Sequence, residues 1–381
     1  MTKNHPHRPV LLPTRRQFLR GTAAAAAGWV LCPNVLGAAD AAAPAAGAVA
    51  TAAPSEAVSF FLVGDTHYYA DKGTPGTIDP TSAATNGRLV DWLNKLPGTD
   101  VPAEAGGGKV PTPRGVIHAG DLIDSGDKGT SPVALKQQET ELAAFAADWG
   151  VNGEGKLKWP SFEVHGNHDG PRGEGLSVSQ IIARTAKRKG LAAVSDNGMH
   201  YGWSWGGVHF LALGIVVGGA PDTARARRYD PKGSYAFMEK YLGKHVGDSG
   251  APVVITHHVD VARYSGPCDE NPPKGNPEWD PCDAHAYYRA IGKYNVAAIL
   301  FGHTHVRKIA RWDGTPKEPA GGGVWAFNTD NAGHYKSQTQ AVLHFEIGPK
   351  EMVVREFGTT DMWQTGEWTK QVWRFKPARG G

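Results

Sequence analysis

Five short apolar runs, each closed by Asp, Asn or His, constrain this chain more than any other feature. VSFFLVG runs into Asp65-Thr66-His67, GVIHAG into Asp121, and SFEVHG into Asn167-His168-Asp169. PVVIT leads to His257-His258 and AAILFG to His303-Thr304-His305. Runs of this length that stop at Gly or a polar break read as buried strands of an α/β sheet. Open α/β sheets gather ligands beyond the carboxyl ends of their strands. A repeated strand-then-ligand pattern therefore aims these side chains at one place. Asp-x-His and His-x-His can send both side chains to one face, because alternate residues of an extended chain share a side. Carboxylate, imidazole and amide oxygen together suit borderline divalent ions such as Mn, Fe or Zn. The pattern predicts a site for two metal ions.

The 381 residues allow one large domain or two of ordinary size. Residues 1–57 are expected to lie outside any core. Within 1–38, Thr14-Arg15-Arg16-Gln17-Phe18-Leu19-Arg20 is a close match to a twin-arginine export signal, and an Ala-rich, weakly apolar stretch follows to about Leu36. That stretch is too short and too mild for a transmembrane helix, which needs roughly 20 strongly apolar residues. Cleavage near Ala38–Ala39 would leave 39–57 as a flexible Ala/Pro leader. The expectation is a periplasmic or secreted protein without a permanent membrane anchor, with the twin-arginine machinery as its export partner. Export changes the meaning of the net charge of +3. Lys3, Arg8, Arg15, Arg16 and Arg20 leave with the signal and no acidic residue does, so 35 basic residues face 37 acidic ones. A slightly acidic mature chain gives no support for nucleic-acid binding. Cys32 is lost as well, while Cys268 and Cys282 flank a Pro/Gly-rich loop. At that spacing in an exported protein, a disulfide is expected.

From Val58 to about Phe357, strands alternate with helices as in a layered α/β domain. Leu89, Trp92, Leu93 and Leu96 form a helical stripe, and Leu135, Leu142, Phe145 and Trp149 another over 132–149. Further helices are expected near Ser179–Lys189, Ser234–Val246 and Ala284–Tyr294, two strands within His200–Val217, and a hairpin at Gly348-Pro349-Lys350. Two long insertions, Tyr68–Asn86 and Arg263–Asp283, start beside expected ligands. Such loops in compact domains are usually functional or mobile. The expected division is a catalytic domain over 58–360 and an extension, 361–381, packed on it or trailing from it.

The ordered set Asp65-x-His67, Gly120-Asp121, Gly166-Asn167-His168-Asp169, His257-His258 and Gly302-His303-x-His305 resembles the calcineurin-like metallophosphoesterase superfamily. That superfamily includes purple acid phosphatases, cyclic-nucleotide phosphodiesterases and glycerophosphodiesterases. The resemblance spans roughly Val58–Lys308 and implies a four-layer αββα sandwich. It implies a first metal held by Asp65, His67, Asp121 and His305, and a second by Asp121 as bridge with Asn167, His257 and His303. A metal-bridging hydroxide would be the nucleophile and His168 the general acid. Asp169 and His258 would orient their neighbours. Asp124 stands where purple acid phosphatases place an iron-binding tyrosine, a departure from that branch. His118 and His209 read as structural histidines. Asp330 and His334 line the pocket or hold a turn, and Arg172, Arg225, Arg227, Arg228 and Arg263 are available to a phosphate. The expected activity is hydrolysis of a small phosphate ester, either a monoester or a diester, with a catalytically silent metal-loaded binding protein as the rival.

Overall fold

Alternation within one strand already dictates a layered molecule. Phe60 and Leu62 of β1 (Val58–Val63) point one way, Phe61 and Val63 the other, and all four are buried. A strand apolar on both faces needs cover on both. The computed structural model describes residues 57–220, 225–268 and 274–376, so the expected export signal and nearly all of the leader lie outside the described residues.

Along the chain follow β2 (Val116–His118), β3 (Ser161–Glu163), β4 (Leu191–Val194), β5 (Tyr201–Trp205), β6 (Val208–Ala212) and β7 (Val253–Thr256). Then come β8 (Val296–Phe301), β9 (Lys308–Trp312), β10 (Val324–Asn328), β11 (Gln340–Ile347), β12 (Met352–Thr359) and β13 (Glu367–Phe375). One sheet has the order β13-β12-β11-β1-β2-β3, the other β4-β5-β6-β7-β8-β10-β9. The strands β1, β2 and β3 run parallel, as do β6, β7, β8 and β10.

The helices are α1 (Pro80–Lys95), α2 (Pro132–Asp148), α3 (Leu176–Lys187), α4 (Ser234–Tyr241) and α5 (Pro281–Ile291). Asp79, Ser131 and Asp280 cap α1, α2 and α5, each with Pro in the first turn. A side-chain oxygen there satisfies free backbone N–H groups, and Pro needs none. Phe60, Leu62, Phe162, Trp203, Phe210, Val254, Leu300 and Phe345 fill the space between the sheets. Phe61, Val63, Leu89, Leu93, Leu142 and Phe145 join the first sheet to α1 and α2. Leu211, Ile255, Met238, Tyr287 and Ile291 join the second sheet to α4 and α5. The layers are αββα, as expected.

Three details differ from the sequence reading. Leu135 is only partly buried, and Gln138 and Glu141 occupy the buried side of α2 instead. Glu141 is there because its carboxylate accepts from Ala70 N, Ser125 N and Ser125 Oγ, at 2.9–3.0 Å. It fastens the loops after β1 and β2 together. The insertion after β1 is partly helical, since α1 begins at Pro80. Most of the described C-terminal extension is a strand: β13 pairs antiparallel with β12 and closes the first sheet's edge. Trp363, just before it, is buried and donates to Ala332 O at 2.6 Å. Cys268 and Cys282 form a disulfide, as expected. No described helix is long and apolar enough to cross a membrane.

Candidate metal centre

The parallel strands β1, β2 and β3 in one sheet and β7 and β8 in the other are each followed, at their carboxyl ends, by the expected ligand motifs, and bring six of the seven residues together. At those ends the backbone leaves the extended conformation abruptly. Asp65, His67, Asp121, His303 and His305 all have positive φ, at 56°, 42°, 53°, 76° and 52°. Non-glycine residues adopt this region at a cost, and such outliers cluster at functional sites. The preceding glycines let the loops approach one another. A Cβ on Gly302 would sit 2.6 Å from Asp65 Oδ2, and one on Gly166 would collide with the Asp121 carboxylate.

Four groups of candidate ligand atoms result among the described residues: two join His67 to His305 and His334 and to Asp124 and His168, and two share Asp121. In the first of the two that share Asp121, single atoms of Asp65, His67, Asp121 and His305 lie within 4.8 Å of one another. His67 Nε2 is 3.1 Å from His305 Nε2 and 3.5 Å from Asp121 Oδ2. His305 Nε2 is 3.5 Å from Asp65 Oδ1, whose carboxylate also accepts from His303 N at 2.9 Å. Burial alone would raise both carboxyls. Even so, His305 holds Asp65 below the usual carboxylate range, and His258 and His67 hold Asp121 well below it. Both carboxylates are ionised and buried.

The second group joins Asp121 to His258 and His303, with Asn167 between the two rings. His258 Nδ1 donates to Ala119 O at 2.8 Å, which turns Nε2 towards Asp121 Oδ2 at 3.2 Å and Asn167 Oδ1 at 3.1 Å. His303 Nδ1 lies 2.7 Å from Asn167 Oδ1. Donor atoms facing acceptor oxygens across such distances call for positive charge among them. The same demand shows in His258: burial would lower it, but Asp121 and Asp65 raise it to about 9. Without a metal, a proton supplies that charge. Residues, spacing and buried negative charge all fit a pair of divalent cations.

The structure does not bring His257 to this cluster. Its ring packs edge-on against Trp279 and Tyr287 in the helix-facing layer, and burial lowers it to about 3. His258 takes the place expected of His257. The signal for this was parity along the strand. His257 shares its side with Val253 and Ile255 of the outer layer, whereas His258 shares its side with Val254, which packs between the sheets.

Around the two groups, His168 N donates to Asp121 Oδ1 at 2.8 Å, and His168 Nδ1 donates to Asp124 O at 3.0 Å. The ring lies 4.8 Å from that of His67 and is 27% exposed, so it faces both the cluster and solvent. Asp124 Oδ1 is 3.4 Å from His67 Nδ1. Asp169 accepts from Gly166 N, Leu122 N and Ile123 N, tying the loops after β2 and β3; burial and then Asp121 raise it to about 7. His118 bonds Thr66 Oγ1 and His209 bonds Tyr241 Oη, both as structural histidines. His334 does two jobs. Its backbone holds a turn with Asn331 and Gln340, and its ring lies 4.8 Å from His67 and 4.9 Å from His305. Arg225, Arg227 and Arg228 pair with Asp280, Asp283 and Glu278, while Arg172 and Arg263 are exposed. Glu278, whose carboxylate meets His303 Nε2 at 2.9 Å, had no sequence signal, because it sits in the irregular insertion far from any ligand motif.

The model of the calcineurin-like phosphoesterase family matches residues 58–307. Among solved structures the chain is similar to a dimetal phosphatase from Danio rerio, at 12% identity over 84% of this chain and 99% of that one, with a TM-score of 0.47. It is similar to PhoD at 9% identity over 86% of this chain and 71% of that one, with a TM-score of 0.49. It is also similar to GAP50, the anchor in the inner membrane complex of Plasmodium, at 13% identity over 85% and 89%, with a TM-score of 0.43. No curated protein sequence matches.

Proposed function

We infer the reaction from one premise: the chain belongs to the calcineurin-like phosphoesterases and is a hydrolase of phosphoric esters. We propose that Asp65, His67, Asp121 and His305 hold one divalent ion, and Asp121, Asn167, His258 and His303 a second. The observation that carries this reading is the sharing of Asp121 by the two ligand groups. When bound, the ions would activate a water for attack and stabilise both the attacking and the departing oxygens. Asp65 and Asp121 offset only part of their charge, which leaves the place attractive to a phosphate. His258 keeps a proton on Nδ1 through Ala119 O, so its Nε2 is free to ligate. His168 likewise keeps Nδ1–H on Asp124 O. Its Nε2 can then carry a second proton and release it to a leaving oxygen, the role of a general acid.

Metal counting on Mn²⁺-reconstituted protein, alongside a panel of phosphate mono- and diesters, tests this reading. Two ions per chain and hydrolysis that stops on chelation are expected. Two bound ions without hydrolysis of any ester would instead mark a silent binding protein. We further propose that the protein works after export, supported by the Arg15-Arg16 motif and by a disulfide suited to an oxidising compartment. Replacing Arg15 and Arg16 with Lys should trap the precursor in the cytoplasm, and normal export of that variant would refute the route.

A further inference from the structure

Glu278 belongs to the insertion closed by Cys268–Cys282, and its surroundings leave it no role as a proton donor. Tyr264 Oη donates to its Oε2, Tyr229 Oη donates to Oε1 at 3.1 Å, and Arg228 Nη1 lies 3.6 Å from Oε1. Every one of these neighbours is a donor or a cation, so the group stays a carboxylate. The next contact, His303 Nε2 at 2.9 Å, must therefore bring its own hydrogen. An imidazole with its proton on Nε2 is left with Nδ1 as its ligating atom, and Nδ1 and Asn167 Oδ1, 2.7 Å apart, are spaced as two ligands of one cation would be. Glu278 is also held firmly. Trp279 beside it is buried against His257 and Tyr287, and Asp280 caps α5 while pairing with Arg225.

We propose that Glu278 is a positioning residue that fixes the tautomer and orientation of His303, so that the disulfide-closed insertion completes the second metal position. This rests on the reading of His303 as a ligand. Carboxylates that hold the outer nitrogen of a ligating histidine typically contribute about 10–100-fold in metal affinity. No such partner is needed for His258, whose outer nitrogen is held by a backbone carbonyl of β2's own loop. Reach across the insertion is thus specific to His303.

The test uses the full chain loaded with diamagnetic Zn²⁺, one of the ions this ligand set suits. Nitrogen-15 NMR of the imidazoles, with the His303 signal assigned through His303→Gln, should show a protonated Nε2 and an unprotonated Nδ1 in the wild type. Glu278→Ala should lose that preference and bind the second ion about 10–100-fold more weakly, with the first ion unaffected. Glu278→Gln keeps the shape and packing of the side chain and guards against a folding defect; it should weaken the second ion in the same direction by a smaller factor. A merely structural role would lower stability without moving the tautomer. A His303 proton on Nδ1 in the wild type, or wild-type affinity for the second ion in both variants, overturns the proposal. Because neither readout is an activity, absence of phosphoesterase turnover would defeat the proposed function and leave this inference standing.

Discussion

At the scale of single residues, the adjacent pair His257-His258 shows how one position along a strand separates core from chemistry. His257 is buried among aromatic rings, with no hydrogen bond of ordinary geometry at either ring nitrogen, whereas His258 is bonded at both. His257→Phe swaps one ring for another of similar volume and removes two buried polar atoms. It should change stability by less than about 1.5 kcal/mol and leave metal content intact. His258→Ala should remove the second ion; metal analysis and urea unfolding of the two variants check the pair. His168 calls for a different measurement. If its Nε2 protonates the leaving oxygen, its contribution grows with the basicity of that oxygen, to about 10²–10⁴-fold. His168→Ala should cripple hydrolysis of alkyl phosphate esters yet spare much of the rate with a nitrophenyl leaving group. The ratio of the two kcat/KM values at matched metal occupancy reports it, and an unchanged ratio would assign His168 to packing. The strand-end motifs made it legible that Asp65, His67, Asp121, Asn167, His303 and His305 would lie together, because each of these follows a strand and a glycine. Glu278 and the choice between His257 and His258 were not legible. The first depends on a contact across an irregular loop, and the second on which face of β7 meets the other sheet.

At the scale of elements, the strand that leads to Asn167 is secured by charge. Glu163, the last residue of β3, is buried with two guanidinium groups from the α3 region: Arg184 Nε at 2.7 Å and Arg188 Nη2 at 2.5 Å. Burial alone would raise its carboxyl, but Arg184 and Arg188 hold it down to about 2. A glutamate in an unfolded chain titrates near ~4.3. The folded value lies below the unfolded one, so the stabilising contribution is complete above ~4.3 and is lost as the pH falls towards 2. Arg188→Met breaks one half of this buried arrangement and should cost about 3–5 kcal/mol at neutral pH. It should also raise the folded pKa of Glu163. The deficit relative to wild type should therefore shrink as the pH falls from ~4 towards 2, where Glu163 becomes protonated in wild type as well. Urea unfolding at pH 7 and at about pH 3, inside the window between the folded and unfolded values, measures the difference. The unbroken apolar runs that marked β1, β2, β7 and β8 as buried strands also explain why these elements were legible. By contrast, β13 carries exposed and half-buried residues along most of its length, and only pairing with β12 defines it.

At the scale of the whole molecule, the two sheets meet in an apolar layer and again at the metal site. Asp65, His67, Asp121 and Asn167 come from one sheet, and His258, His303 and His305 from the other. Bound cations would therefore cross-link the sheets at their carboxyl ends. The layer of Phe60, Phe162, Trp203, Phe210 and Phe345 already joins them without any metal. The metal-free protein should accordingly remain folded, with the ligand loops destabilised by the mutual repulsion of the buried Asp65 and Asp121 carboxylates. A ligand that binds only the native state stabilises it by about 2.7 kcal/mol at a hundred times its dissociation constant. For a domain of this size, that corresponds to a rise in Tm of roughly 5 °C. Calorimetry of chelated protein titrated with Mn²⁺ should show a single transition that climbs with metal concentration. His258→Ala should start near the chelated wild-type Tm and recover only the part of the climb due to the first ion. Asp121→Asn, which weakens both positions, should recover almost none. A climb of equal size in all three proteins would mean that the ions bind elsewhere, and the bridging role of Asp121 would fall with it.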